Sequence, residues 1–399
     1  MTEKLTLETL LAACAPGGAS VLTIVTELRP AAGPHGAVAP PRYVSGRDAT
    51  YCYETRYVDG EAQTVVLLDG KSSQLNRVEE QISMAVKAGV EPLCLTPTIA
   101  VDYDGDVFLD MDLPHRAWDG HIRAASIDGT PVAQHDAYIA ARNCTPADVR
   151  ALLELSPISL PAGSWDSTRS AHQARFRSVL VAEIIGVLAD QSTPHPETPR
   201  RGGARRDEIA PSVRVSGPDM KKLVKDQEHE LSGANLKRIE ETIKKSKETV
   251  SASTLGLGSI PPTLSTLGLV SCKRIIRSQV LSFAALRQLR FGGSMEADAA
   301  CRALLAALML AGLARANDEL VLRANCDLTE AAAPVMELDL RNGRKAELAT
   351  LRPEEADELL TQAIAEARRV ADIRWEGQQL QVTGNPIILK GAEAEPEEA

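Results

Sequence analysis

The chain has 399 residues, of which 44% are hydrophobic and 3% aromatic, and its net charge is −10. That is enough apolar material for one large core or two modest ones, which excludes a disordered scaffold. An acidic average also excludes a surface built uniformly for nucleic acid, so a phosphate-binding role would need concentrated basic patches.

The longest apolar run, residues 304–314, is well short of the ~20 residues of a bilayer span. No basic start leads into a long apolar segment, so the expectation is a cytoplasmic protein without a membrane partner. Seven cysteines (Cys14, Cys52, Cys94, Cys144, Cys272, Cys301 and Cys326) are odd in number and scattered, with no Cys-x-x-Cys pair. They read as reduced, structural thiols. No cofactor or metal is expected.

In chain order, an amphipathic opening helix at 5–14 precedes a strand-like run at 20–28 with β-branched content. Residues 29–42 are rich in Pro, Gly and Ala and read as loop. The apolar run 64–68 predicts a buried strand feeding a helix in 69–89, where Leu75, Val78, Ile82 and Val86 recur at helical spacing. Asp69, Ser72 or Ser73 could cap its start and Gly89 its end. Residues 99–139 mix short strand-like runs with Asp/Gly turns, and 175–189 reads as a buried helix. Residues 191–206 are rich in Pro, Gly and Arg, and 220–250 is a lysine/glutamate-laced helical stretch expected to hold no core alone. Counted over 200–248, 13 basic minus 9 acidic residues give +4. The globular pattern then resumes with a strand at 267–280, helices near 281–290 and 295–314, and a helix from Pro353 to about Ala371. The last nine residues carry four glutamates and no base.

Three segments could carry chemistry. In the strand-to-helix turn at 69–77, backbone N–H groups and the helix dipole suit a phosphate. Lys71 and Arg77 add charge there, and Ser73, Gln74 and Asn76 can bond phosphate or sugar oxygens. Gly70-Lys71-Ser72 is not a P-loop, because Val65 stands where that motif needs glycine. A capped surface helix is the bland alternative. The second segment, 268–294, carries five basic residues, Lys273, Arg274, Arg277, Arg287 and Arg290, and no acidic one. In an extended chain Lys273 and Arg277 share a face with Gln279 while Arg274 points the other way. Such cations call for RNA phosphates or for the protein's own carboxylates. The third, Asp102 to Asp106 with Asp110 and Asp112, superficially resembles a metal cluster. It departs from a calcium loop at Val107 and Leu113 and reads better as turns. His115 and Arg116, in His115-Arg-Ala-Trp-Asp119, are contact candidates or part of a hydrogen-bonding cluster. No catalytic residue can be named.

Asp69, Ser73, Gln74, Asn76, Arg77 and Glu79 match an Asp-Ser-x-x-Ser-Gln-Ala-Asn-Arg-x-Glu signature, with departures at Gly70 and Leu75. His115, Arg116, Trp118 and Asp119 match a second element and Trp165 to Thr168 a third. Gly258-Ser-Ile-Pro-Pro262 and Ser282 to Phe291 match later ones. Together they resemble the RAMP-type backbone subunit of type I-U (I-G) CRISPR Cascade, the Cas-seven group. The resemblance implies an α+β fold with a modified RRM-like, ferredoxin-like palm and inserted finger and thumb segments. The composition break after residue 190 and the resemblance together divide the chain into 1–190 (first part of the palm), 191–255 (a charged mobile insertion, thumb or lid), 256–390 (second part and C-terminal helices) and 391–399 (acidic tail). The resemblance further implies a non-enzymatic subunit that binds guide RNA (crRNA), polymerises with copies of itself in a helical filament beside the small and large Cascade subunits, and meets target DNA through the guide. With so few aromatics, gripping the RNA backbone suits this chain better than stacking bases. The enzymatic alternative is a RAMP ribonuclease that cuts with a loop aspartate.

Overall fold

The computed structural model describes residues 3–45, 48–170, 174–192, 213–245, 248–258 and 268–393. Part of the Pro/Gly/Arg-rich break (193–212), most of the Gly-Ser-Ile-Pro-Pro element (259–262) and most of the acidic tail (394–399) lie outside the described residues. Two compact units emerge: residues 1–196 with 270–386, and residues 197–269 with 387–399.

In the first unit, helix α1 (Leu7–Cys14) is capped by Thr6, whose hydroxyl accepts the Thr9 amide. The next run forms β1 (Val21–Pro30), which buries every second side chain, as a strand covered on one face should. β2 (Tyr53–Val58) and β3 (Glu61–Asp69) make a hairpin, and β3 turns directly into α2 (Lys71–Lys87). Gly70 occupies the N-cap and contributes no side-chain cap, so neither Asp69 nor the serines play the capping role expected of them. Gly89, at φ +69°, follows the helix as anticipated.

The segment read as a buried helix is instead a strand, β4 (Leu180–Leu188). Its sequence LVAEIIGVL is rich in β-branched residues, and a central strand covered on both faces shows no alternation from which its type could be read. β5 (Cys272–Ser282) follows, then α3 (Met295–Asp318), β6 (Leu328–Glu330), β7 (Val335–Asp339), β8 (Lys345–Leu348) and α4 (Pro353–Ala371). The sheet runs β8-β7-β1-β5-β4-β3-β2, with β6 also pairing with β1, and every pairing is antiparallel. The chain order β1, α2, β4, β5, α3, β7 thus gives the spatial order β7-β1-β5-β4.

Helix α3 is the centre of the core, buried on all sides and packed against α1, α2 and α4. By length and composition it could cross a membrane, which corrects the sequence reading that found no such segment, but its apolar stretch is entirely buried within the protein. A helix apolar all round needs this kind of site. Gly312 lets α2 approach, since a Cβ there would stand 2.7 Å from Ile82 Cγ1 and 2.9 Å from Val78 Cγ1.

A smaller sheet carries the acidic segment. Strand Gln379–Thr383 runs parallel to Thr98–Tyr103, which forms a hairpin with Asp106–Leu109. Asp104 and Gly105 turn that hairpin at φ +54° and +103°, and the Asp102 carboxylate accepts the Gly105 amide at 2.7 Å. Asp112 accepts Ser83 Oγ, Lys87 Nζ and the Leu109 amide. These aspartates are turn and anchor residues, as their spacing suggested.

The second unit contains helices Gly217–Gln227 and Gly233–Lys245 and a short pairing of Arg214–Val215 with Val250–Ser251. Met220, Ile239, Val250 and Ala252 form a buried cluster, flanked by Val213, Val215, Val224, Leu231, Ile243 and Leu255. The expectation that this stretch has no core of its own is therefore corrected. Each helix is strongly charged, yet its few apolar residues fall on one stripe, and two such stripes with a strand pair are enough to close a small core.

Candidate nucleic-acid interface

The strand-to-helix turn is organised by one buried carboxylate. Asp69 Oδ1 accepts Ser73 Oγ at 2.9 Å and Arg323 Nη2 at 2.7 Å. Its Oδ2 accepts Gln74 Nε2 at 2.6 Å and Arg77 Nε at 3.2 Å. Arg77 also donates to the Val321 and Leu322 carbonyls, and Arg323 to those of Leu68 and Ala39. A buried carboxylate needs such partners to remain charged. Ser73, Gln74 and Arg77, read as RNA ligands, are thus turned inward as partners of Asp69. Lys71 and Asn76 of the same segment face solvent.

The second motif is likewise internal. Arg116 grips both oxygens of the buried Glu79 and donates to the Gly163 carbonyl at 2.8 Å. Burial pushes the Glu79 carboxyl above its ordinary range, and the Arg116 fork opposes that rise. Arg116 itself stands at φ +50°, a conformation that costs a non-glycine residue on the order of 1 kcal/mol or more. Trp118 Nε1 donates to Ser164 Oγ at 3.0 Å, and Asp119 accepts the His115 and His121 amides. The His115 side chain remains exposed. In the third element Asp166 is buried and accepts two bonds from Arg142, at 2.7 and 3.2 Å.

The cations on and after β5 divide by face. Arg274 meets Glu27 and Asp59 on the half-exposed face, and these bonds raise its pKa further. Arg277 is 1% exposed on the opposite, covered face, where it donates to Thr26 Oγ1 and Glu330 Oε1, both at 3.3 Å. Burial lowers its pKa, opposed by Glu330. Arg287 donates to the Ala13 carbonyl in the last turn of α1, where a guanidinium satisfies an orphan carbonyl and opposes the helix dipole, and to the Ala19 carbonyl just before β1. Of the two answers the sequence left open, groups of the protein itself hold Arg274, Arg277 and Arg287, which corrects their reading as RNA ligands. Partners distant in sequence answer all three. Lys273 and Arg290 are exposed. Lys273 lies at the start of β5 and Arg290 beyond its end, and the 11-residue strand is about 35 Å long, so the two do not form one patch.

Of the cations singled out from the sequence, Lys71, Lys273 and Arg290 carry no ion pair among the described residues, and Arg287 is held by backbone carbonyls alone. Sequence reasoning missed Arg323 and Glu330, the long-range partners of Asp69 and Arg277. No local pattern marks them, because their significance lies only in what they meet.

Residues 22–191 match the family model described as CRISPR-associated protein GSU0053. The chain is similar to a CRISPR-associated family. That match covers less than half of the chain and contains the Asp69, Arg116 and Trp165 elements, so the CRISPR resemblance read from those motifs stands. No curated protein matches the chain. Within the matched segment, many of the motif residues with described side chains bind other parts of the protein, whereas Lys71, Asn76, His115 and Trp165, with Ser167 and Thr168, are exposed.

Proposed function

We propose that this CRISPR-associated chain is the guide-RNA-binding backbone subunit of a type I Cascade complex of the I-U (I-G) kind. The observation that carries the reading is the antiparallel order β7-β1-β5-β4 assembled from β1, α2, β4, β5, α3 and β7. It matches the β-α-β-β-α-β arrangement of a ferredoxin-like, RRM-like palm. In this reading the segment between α2 and β4 and the second unit are finger and thumb insertions. β1, β4 and β5 contain no aromatic residue, which favours a grip on the RNA backbone over base stacking on the sheet. Lys71, Asn76, Lys273 and Arg290, with His115, are the outward-facing candidates for phosphate and sugar contact.

Copies would associate head to tail along the guide, a heterologous contact that builds a filament. Target DNA is then read by pairing with the guide, next to the small and large subunits. The chain holds RNA without cutting it. Co-expression with a CRISPR array and the neighbouring genes tests the reading. The expected result is a guide RNA of defined length that copurifies with several copies of the chain. Purification as a small oligomer free of nucleic acid would overturn it.

A further inference from the structure

Trp165 is the one tryptophan outside the core. Trp118 and Trp375 are 2% and 3% exposed, whereas Trp165 is 49% exposed. It stands on the hairpin formed by Ser164–Trp165 and Arg175–Phe176, directly opposite Arg175. The Arg175 guanidinium carbon lies 5.0 Å from the indole centroid, a cation–π stack. The alternate positions of the hairpin, Ser164 and Phe176, are buried, so the indole and guanidinium share its outer face.

The hairpin is held firmly. Arg116 donates to the Gly163 carbonyl. Gly163 takes φ +87°, and a Cβ there would stand 2.6 Å from the Ser178 amide nitrogen. Ser178 Oγ in turn donates to the Pro161 and Leu180 carbonyls. Asp166 is buried and taken up by Arg142, while Arg175 and Arg177 are exposed and have no carboxylate partner among the described residues.

We propose that Trp165, Arg175 and Arg177 form a stacking site for an unpaired nucleobase and its phosphate. The proposal rests on the RNA-binding reading and deepens it by assigning a contact away from the sheet. Single-stranded nucleic acid is recognised by aromatic and guanidinium planes for the bases with cations for the backbone. The central strands offer no aromatic plane, and this hairpin offers one stacked by Arg175, with the exposed Arg177 two residues further along the chain. A protein partner would equally use tryptophan, but two arginines without carboxylates would require it to supply acidic groups.

Tryptophan fluorescence separates the possibilities, because Trp165 is the accessible indole. Unlabelled oligouridine added to the full chain should quench the emission and shield it from acrylamide, and W165F should lose that signal. W165A and R177E should each weaken oligouridine binding about tenfold, with melting temperatures close to that of the parent protein. Unchanged affinity in both variants, with acrylamide reaching Trp165 equally with and without oligouridine, overturns the stacking site and leaves the RNA-binding reading standing. No oligouridine binding by the parent protein overturns both. Shielding that needs no RNA and rises with protein concentration assigns the indole to a protein contact and overturns the proposal.

Discussion

Asp69 and Arg323 are 254 positions apart in the chain and form an ion pair of 2.7 Å beneath the strand-to-helix turn. The pair ties the end of β3 and the start of α2 to the segment that follows α3. Asp69 is the acceptor that Ser73, Gln74, Arg77 and Arg323 share, so its removal leaves two guanidinium groups half-buried beside each other. D69A should therefore destabilise the protein by about 3–5 kcal/mol. R323K, which keeps the charge but not the fork, should cost less. Urea unfolding followed by circular dichroism measures both, and a D69A midpoint equal to that of the parent protein would show the clasp to be idle.

Arg277 and Lys273 share a strand and a charge sign but should respond differently to reversal. R277E would bury a carboxylate where Arg277 is 1% exposed, next to Glu330, and should yield unfolded or insoluble protein. R277M should fold and retain RNA affinity within about twofold. K273E, K71E and R290E should fold normally, weaken RNA binding whatever its sequence, and lower the slope of log K against log salt by roughly 0.7 per charge removed. Anisotropy titrations at several salt concentrations distinguish these outcomes.

Asp110 makes stability pH-dependent. Complete burial raises its carboxyl from an ordinary value of 3.8 to about 7, although Ser156 Oγ and backbone amides oppose the rise. A raised acid pKa means that the folded state holds the proton more tightly than the unfolded chain does. Its contribution is then complete below pH 3.8 and lost as pH climbs through 7. From about pH 5 to about pH 8 the parent protein should lose up to about 3 kcal/mol from this group. D110N should lose much less over the same interval. Melting temperatures across that range read the slope, and parallel slopes for the two proteins would contradict the assignment.

Gly312 tests the packing of α2 on α3. With Ile82 and Val78 atoms at 2.7 to 2.9 Å from a new Cβ, G312A should cost about 1–3 kcal/mol through overpacking. Pairing it with I82V should restore part of that loss, which a double-mutant cycle would quantify.

Much of the architecture could be read from local patterns, because helical spacing, alternation and turn residues act within a few positions. α1, β1, α2 and α4 follow from such patterns to within a residue or two, and the Asp104-Gly105 turn follows from its residue types. β4 escaped because both its faces are buried, and the small core of the second unit escaped because its apolar stripes are meaningful only once two helices face each other. The motif residues were identifiable as a group, but not their direction. Residue type could say that Arg77, Arg116, Arg274 and Arg277 need anions. It could not say whether those anions are phosphates or carboxylates contributed from elsewhere in the chain. Tertiary structure decided that by bringing Asp69, Glu79, Glu27, Asp59 and Glu330 within bonding distance. Charge pairing is set by distance in space, and distance in space is what a linear pattern leaves open.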